Sequence, residues 1–172
     1  MHVRKHWLSV VVALGAIAPA CMADDDATFA RQAASTGLLE VELGNYAATN
    51  AADPEVARFG RAMVDDHSRV NQELEDLARR KGIRLQSSMT PEQRQEATQL
   101  MSKQGADFDA AYVQAMVQGH EKAVEAFQKQ ADQNKTDVDR WAASTLPALQ
   151  QHLAHARELA AKDGNARVSQ VQ

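Results

Sequence analysis

The chain has 172 residues, of which 44% are hydrophobic, 24% charged and 5% aromatic, a composition typical of one globular domain. A single cysteine excludes a disulfide scaffold and a cysteine-based zinc or iron–sulfur site, and a net charge of −4 disfavours a nucleic-acid partner. Eight glycines and four prolines are too few for the many turns of an all-β sandwich.

The N-terminus has the pattern of a secretory signal peptide covering residues 1–23. A basic start precedes an apolar stretch at 7–18, and an acidic run follows Ala23. The apolar stretch is shorter than the roughly 20 residues that a transmembrane helix needs. We therefore expect an exported, periplasmic protein with no transmembrane span. Cleavage before Cys21, which would leave a lipid-bearing N-terminus, is the alternative.

Apolar residues at three-and-four spacing predict four long amphipathic helices in the mature domain, residues 24–164. Start and stop signals bound them: Asp53-Pro54 and Thr136 at N-termini, and Gly82 after a C-terminus. Thr90-Pro91 opens a further short helix that extends to about Gln104. The predicted long helices are A (27–50), B (54–81), C (107–133) and D (137–163), and residues 165–172 are expected to form a flexible tail.

Four long helices with mostly short joints favour an all-α fold, an antiparallel four-helix bundle with the short extra helix in the B-to-C crossover. Four polar residues interrupt the apolar stripes, one on each long helix: Glu40, His67, His120 and His152. Each lies near the middle of its helix, and helix midpoints share one layer of such a bundle. We therefore expect one carboxylate and three imidazoles to meet in the interior.

A buried polar layer needs partners, because an unpaired polar group in an apolar core costs about 1–3 kcal/mol. The four side chains could hydrogen-bond to one another as a structural layer, could bind one transition-metal ion, or could be placed there incidentally. Imidazoles and a carboxylate suit zinc, copper or iron, and also nickel or manganese. Met63 and Met116, one turn before two of the histidines, would favour copper, although methionines on a helix stripe more commonly belong to the core.

The neighbouring polar residues have simpler interpretations. His155, one turn beyond the histidine of helix D, is interpreted as an exposed residue rather than a second ligand. Asp66 and Glu121 are expected to face solvent. Glu42 is the alternative carboxylate if Glu40 points outward.

Several kinds of catalytic site are disfavoured. No glutamate lies three residues before any of the three stripe histidines, which disfavours carboxylate-bridged di-iron chemistry. The sequence also has no Gly-rich phosphate loop, no His-Glu-x-x-His and no Gly-x-Ser-x-Gly. No catalytic residue is predicted.

Three segments resemble a known family. They are Ala-Arg-Phe-Gly-Arg-Ala-Met-Val-Asp-Asp-His at 57–67, Phe-Asp-Ala-Ala-Tyr-Val-Gln-Ala-Met-Val-Gln-Gly-His at 108–120 and Thr-Leu-Pro-Ala-Leu-Gln-Gln-His-Leu at 145–153. In this order they are similar to segments of the exported bacterial family called domain of unknown function 4142. The resemblance covers about 27–159 and implies a ferritin-like four-helix fold and a location outside the cytoplasm. It implies no established activity, and it places the three histidines within the family's motifs.

Two functional classes follow. The first is an exported, non-catalytic binding or stress-protection module whose partner is a metal ion, a small molecule or an envelope protein. The alternative is a metal-dependent enzyme that uses the same glutamate and histidines as ligands. A lipid-associating protein is a third class, but anionic surfaces would repel it, because removal of Arg4 and Lys5 takes the net charge from −4 to −6.

Overall fold

In the computed structural model, the backbone is described for residues 19–170 and the side chains for residues 24–162. This part of the chain forms five α-helices and no strand, which confirms the predicted all-α class. No helix within it combines the length and the apolar character that crossing a bilayer requires. The helices are α1 (Pro19–Asn50), α2 (Pro54–Lys81), α3 (Pro91–Met101), α4 (Gly105–Ala131) and α5 (Asp137–Gln170).

Helices α1 and α2 form a tightly packed hairpin. Gly37 faces Asn71 and Gly44 faces Gly60, so the two helices run in opposite directions. A Cβ atom built on Gly60 would lie 2.8 Å from the Gly44 carbonyl oxygen, closer than real Cβ contacts. The two backbones therefore approach each other at a distance that only glycine permits at this crossing.

Helices α4 and α5 form the second hairpin. The ring of Phe127 packs on that of Trp141, with centroids 5.4 Å apart, and His120 lies beside His152 nearer the other end. These pairs show that α4 and α5 are also antiparallel. The short helix α3 contacts α1 and α4, and it lies in the connection between the hairpins as predicted. The complete ferritin-like topology stays a prediction.

The predicted capping signals act as expected at the helix ends. The Asp53 side chain accepts a hydrogen bond from the Glu55 amide and caps α2, and Gly82 ends that helix in the left-handed conformation with φ of 67°. At α3, Thr90 and Gln93 form the reciprocal capping box. Local sequence therefore sets the length of α2 and the start of α3.

Two predicted helix ends are wrong. Helix α1 already includes residues 19–26, ahead of the predicted start at Ala27. Helix α5 continues to Gln170 past its predicted end at Asp163–Gly164, since one glycine costs only about 1 kcal/mol within a helix. The predicted signal peptide falls mostly on residues outside the described range and stays a prediction, as does the flexibility of the tail.

The apolar core consists of two clusters, one toward each end of the bundle. One contains Leu43, Met63 and Met116, and the other contains Val70 and Leu149 among others. The four polar stripe residues come between these clusters along every long helix, since each is flanked in sequence by members of both. A polar layer therefore divides the core, at the level that the helix midpoints predict.

Asp139 fixes the start of α5. Its Oδ2 accepts hydrogen bonds from the amides of Lys135 and Thr136 at 2.8 and 2.9 Å, and its Oδ1 accepts one from Gln130 at 2.7 Å. Burial raises the pKa of this carboxyl, but the hydrogen bonds outweigh burial and the pKa is lowered overall. The ionised form is therefore preferred more strongly in the folded state than in the unfolded state.

We expect Asp139→Asn to lower the free energy of unfolding by about 1–3 kcal/mol near pH 7. Because the folded-state pKa is below the unfolded one, the contribution of the carboxylate is present above the unfolded pKa of about 3.9 and is lost as pH falls through the folded value. The difference in free energy of unfolding between the parent protein and Asp139→Asn should therefore be constant from pH 7 to pH 5 and become smaller below about pH 4. Urea unfolding across this pH range measures it, with the exposed Asp132→Asn as the control. A difference in free energy of unfolding that does not change with pH would contradict the stabilising role of the ionised Asp139 carboxylate.

Candidate metal centre

The four polar stripe residues are all buried in the layer between the core clusters. The exposed fractions are 4% for Glu40, 6% for His67, 1% for His120 and 7% for His152. They come from α1, α2, α4 and α5 respectively. The structure thus brings four sequence-distant polar groups into one layer of the interior.

The three histidines form a compact triangle. Their ring centroids are 5.4 to 5.6 Å apart. One ring nitrogen of each lies within 4.8 Å of a ring nitrogen of each of the others. Three nitrogen donors gathered at this spacing can close on one ion with small side-chain rotations, given metal–nitrogen distances of about 2.0–2.1 Å.

Hydrogen bonds orient two of these rings. His120 Nδ1 lies 2.9 Å from the Met116 carbonyl oxygen, which can only accept, so Nδ1 carries the proton. His152 Nε2 lies 2.9 Å from Asp66 Oδ2 and donates to that carboxylate. The opposite nitrogens, His120 Nε2 and His152 Nδ1, are buried without a partner, as is His67 Nε2. When a ring carries a single proton at the hydrogen-bonded position, its unpartnered nitrogen carries a lone pair.

Burial keeps two of the rings, those of His67 and His152, from taking a second proton. It lowers the pKa of His67 to about 3, assisted by the two neighbouring imidazoles. Burial also lowers the pKa of His152, against the opposing effect of the Asp66 carboxylate. These two rings are neutral at pH 7, and a neutral imidazole is the form that binds metal ions.

Glu40 lies beside the triangle and not within the group of three. Its Oε1 is 3.9 Å from His120 Nδ1, the nitrogen that already donates to the Met116 carbonyl. Its Oε2 is buried without a partner, and burial raises its pKa although the His120 ring opposes this. Glu42 is exposed, so the inward carboxylate of α1 is the one that the stripe predicts.

Asp66 contacts the triangle, which the sequence did not predict. It was expected to face solvent, but its carboxylate accepts the hydrogen bond from His152 while 41% of the side chain stays exposed. Burial raises the pKa of Asp66, and the hydrogen bonds from His152 and Arg69 outweigh this and lower it. In an α-helix, the residue next to an inward-facing one is rotated by about 100° and can point toward a neighbouring helix. The position of Asp66 next to His67 was therefore the sequence signal for this contact.

The other polar residues and methionines near the triangle lie where the sequence predicts. His155 is exposed and packs its ring edge-on against Phe59. Glu121 is exposed and pairs with Arg157 at 2.7 Å. The sulfur-bearing residues Met63 and Met116 are buried in the core, and Met116 contributes its carbonyl oxygen to the orientation of His120.

A cavity of about 260 Å³ reaches the polar layer. Glu40, His67 and His120 line it together with apolar residues of α1, α2, α4 and α5. Its exposed lining residues belong to α1, α3 and α4, so it opens on that side of the bundle. Three residues of the layer therefore border the cavity, although Glu40 Oε2, His67 Nε2 and His120 Nε2 are themselves closed to solvent.

Comparison with known proteins identifies a family and no activity. A family model described as "Domain of unknown function (DUF4142)" matches residues 12–159, which is most of the chain. No curated protein and no solved structure matches.

Proposed function

The chain belongs to the DUF4142 family, and we propose that it is a binding module that holds one transition-metal ion through His67, His120 and His152. Two observations carry the proposal: each of the three histidines offers a ring nitrogen within 4.8 Å of the others, and each has a buried ring nitrogen without a partner. Hydrogen bonds to a backbone carbonyl and to a carboxylate fix the tautomer of two of the rings. Metal-binding histidines are commonly supported in this way.

A purely structural polar layer accounts less well for these contacts. In such a layer the buried groups satisfy one another, because each unsatisfied one costs about 1–3 kcal/mol. Here the described layer leaves four atoms without partners, namely Glu40 Oε2, His67 Nε2, His120 Nε2 and His152 Nδ1. One ion bound by the three nitrogens would satisfy three of these atoms together.

The donor set favours metal ions that prefer imidazole. Zinc and copper are foremost among them, and iron and nickel follow. Three protein nitrogens leave a fourth position of a tetrahedral ion open for Glu40, a water molecule or another ligand. No methionine sulfur is needed for this set.

Metal loading of the untagged protein tests the proposal. After treatment with EDTA, the protein should take up one Zn²⁺ or Cu²⁺ per chain, measured by elemental analysis. Zn²⁺ at about 100 times its Kd adds about 2.7 kcal/mol of stability, which corresponds to a rise in Tm of about 5–10 °C for a domain of this size. A protein that takes up neither ion, and whose Tm is the same with and without chelator, would exclude the site.

Asp66 should affect the affinity for Zn²⁺ through its hydrogen bond with His152. We expect Asp66→Asn to weaken Zn²⁺ binding by about 10–100-fold, because loss of a partner that orients a ligand has an effect of this size. The neighbouring Asp65→Asn is the control, since Asp65 is exposed. Competition with a chromogenic chelator measures both affinities. Equal affinities in the two variants would remove Asp66 from the site.

We also propose that the protein acts outside the cytoplasm. The basic start, the apolar stretch at 7–18 and the acidic run after Ala23 support export. The intact mass of protein recovered from a bacterial cell envelope distinguishes removal of residues 1–23 from a lipid on Cys21. A full-length mass there would contradict both forms of processing.

A metal-dependent enzyme is the second candidate, and the cavity favours it. A catalytic metal needs an open ligand position and a route for substrate. The cavity bordered by Glu40, His67 and His120 supplies such a route as far as the edge of the layer. Turnover that depends on added Zn²⁺ and is lost in His67→Ala would establish this candidate over a binding module.

A further inference from the structure

The cavity has a polar inner part and an apolar body. Glu40, His67 and His120 form the inner part. Aromatic and aliphatic side chains line the body, among them Phe29, Leu43, Val70, Phe127, Trp141 and Leu149. Exposed residues that include Gln32, Glu96, Gln118 and Lys122 mark the open side.

Two polar atoms among the lining residues have no partner within the protein. Glu40 Oε2 and Trp141 Nε1 are both buried and unpaired, and their side chains are 4% and 8% exposed. Buried polar atoms normally have a hydrogen-bond partner. Both residues belong to the lining. The two atoms are closed to solvent, so a molecule in the cavity would reach them after a small rotation of the side chains.

We propose that this cavity binds one neutral molecule that has an apolar body and a single hydroxyl group, with the hydroxyl at Glu40. This proposal goes beyond the metal site, because binding of the molecule would use the apolar lining and the Glu40 carboxyl and would need no bound ion. A hydroxyl both donates and accepts hydrogen bonds, so it pairs with either protonation state of the carboxyl. The apolar body lies among Phe29, Phe127 and Trp141.

Size and charge narrow the class of molecule. A cavity of about 150 Å³ holds benzene, so about 260 Å³ accommodates a medium-chain alcohol or a bicyclic aromatic alcohol. An anionic head group at Glu40 would be buried beside a carboxyl, and Lys122, the cation in the lining, is exposed on the open side. Burial of an unpaired charge is strongly unfavourable. Neutral alcohols are therefore preferred over the corresponding carboxylates.

Gly119 offers a substitution that fills the cavity. It lies on α4 within the lining, and a Cβ atom built there meets only Glu40 Oε1, at an ordinary 3.6 Å. A larger side chain at this position would extend beside Glu40 into the space that the hydroxyl would occupy. Because glycine is a poor helix former, a residue with a side chain also favours the helix.

The test uses 1-octanol and the fluorescence of Trp141. The full chain carrying Trp7→Phe has Trp141 as its single tryptophan, and EDTA treatment removes any bound metal, so the result does not depend on the metal site. We expect saturable binding of 1-octanol with a change in Trp141 emission, and weaker binding of octanoate. Gly119→Leu should abolish the change, whereas Gln114→Leu, an exposed position on α4 outside the lining, should not.

The position of the hydroxyl has its own test. Glu40→Leu should weaken 1-octanol binding by about fivefold, the equivalent of one hydrogen bond, and Glu40→Gln should retain most of the affinity. No saturable response in the parent protein, or an unchanged response in folded Gly119→Leu, would overturn the proposal. Octanoate binding as tightly as 1-octanol would overturn the assignment of the head group to Glu40.

Discussion

Replacing His120 with alanine should abolish the stabilisation of the protein by Zn²⁺. His120 is the most deeply buried of the three histidines, and its ring lies 5.4 to 5.6 Å from both of the others. Loss of a direct ligand should weaken binding by more than the roughly 10–100-fold expected for an orienting residue. The rise in Tm of about 5–10 °C at saturating Zn²⁺ should then disappear, as thermal unfolding with and without the ion would show.

His155→Ala is the matched control for this experiment. His155 lies one turn from His152 on the same helix but is exposed, so its loss should leave Zn²⁺ binding intact. If His120→Ala does not fold, His67→Gln tests the same site with a polar side chain of similar size. A structural polar layer predicts another pattern, in which His120→Ala lowers Tm equally with and without Zn²⁺. That pattern would contradict the metal site.

Gly60→Ala should destabilise the whole bundle. The added Cβ atom would lie 2.8 Å from both the Ala48 amide nitrogen and the Gly44 carbonyl oxygen, and these backbone atoms cannot rotate away. Overpacking of this kind costs about 1–3 kcal/mol or more, which outweighs the gain of at most about 1 kcal/mol in helix propensity. We expect Tm to fall by several degrees in a thermal melt of the metal-free protein.

Gly119→Ala provides the comparison, because it is the same chemical change on another helix. Its Cβ atom meets a single side-chain atom at 3.6 Å. Alanine should therefore be neutral here or raise the free energy of unfolding by up to about 1 kcal/mol. Equal effects of the two substitutions would show that the close approach of α1 and α2 does not limit stability.

The helices and the polar layer were predictable because local rules determine them. The caps at Asp53 and Thr90 and the terminator Gly82 act over a few residues, and the structure shows each in its expected role. The inward direction of Glu40 and His120 follows from helical periodicity, since both interrupt apolar stripes. A residue that shares a face with core residues has to be buried with them.

Contacts between helices were not predictable in the same way. Periodicity gives the face of a residue, but the rotation of neighbouring helices decides whether Asp66 reaches His152. The same rotation places the Glu40 carboxyl beside His120 Nδ1, so Glu40 does not belong to the group of three histidines that could bind an ion. The cavity has no sequence signature at all, since it depends on how far the hairpins are apart. Helices α1 and α5 extend past the predicted boundaries at Ala27 and Gly164, since neither residue is enough to end a helix.

The division of the bundle into two hairpins gives the proposed ion a mechanical role. His67 belongs to the first hairpin, whereas His120 and His152 belong to the second. Each hairpin closes over a short connection and can form early in folding, but the histidine triangle is complete only after the hairpins dock. An ion held there would act as a removable cross-link that opposes separation of the two halves. Hydrogen exchange at the interface between the hairpins should therefore slow when metal binds, while exchange at the helix ends stays the same.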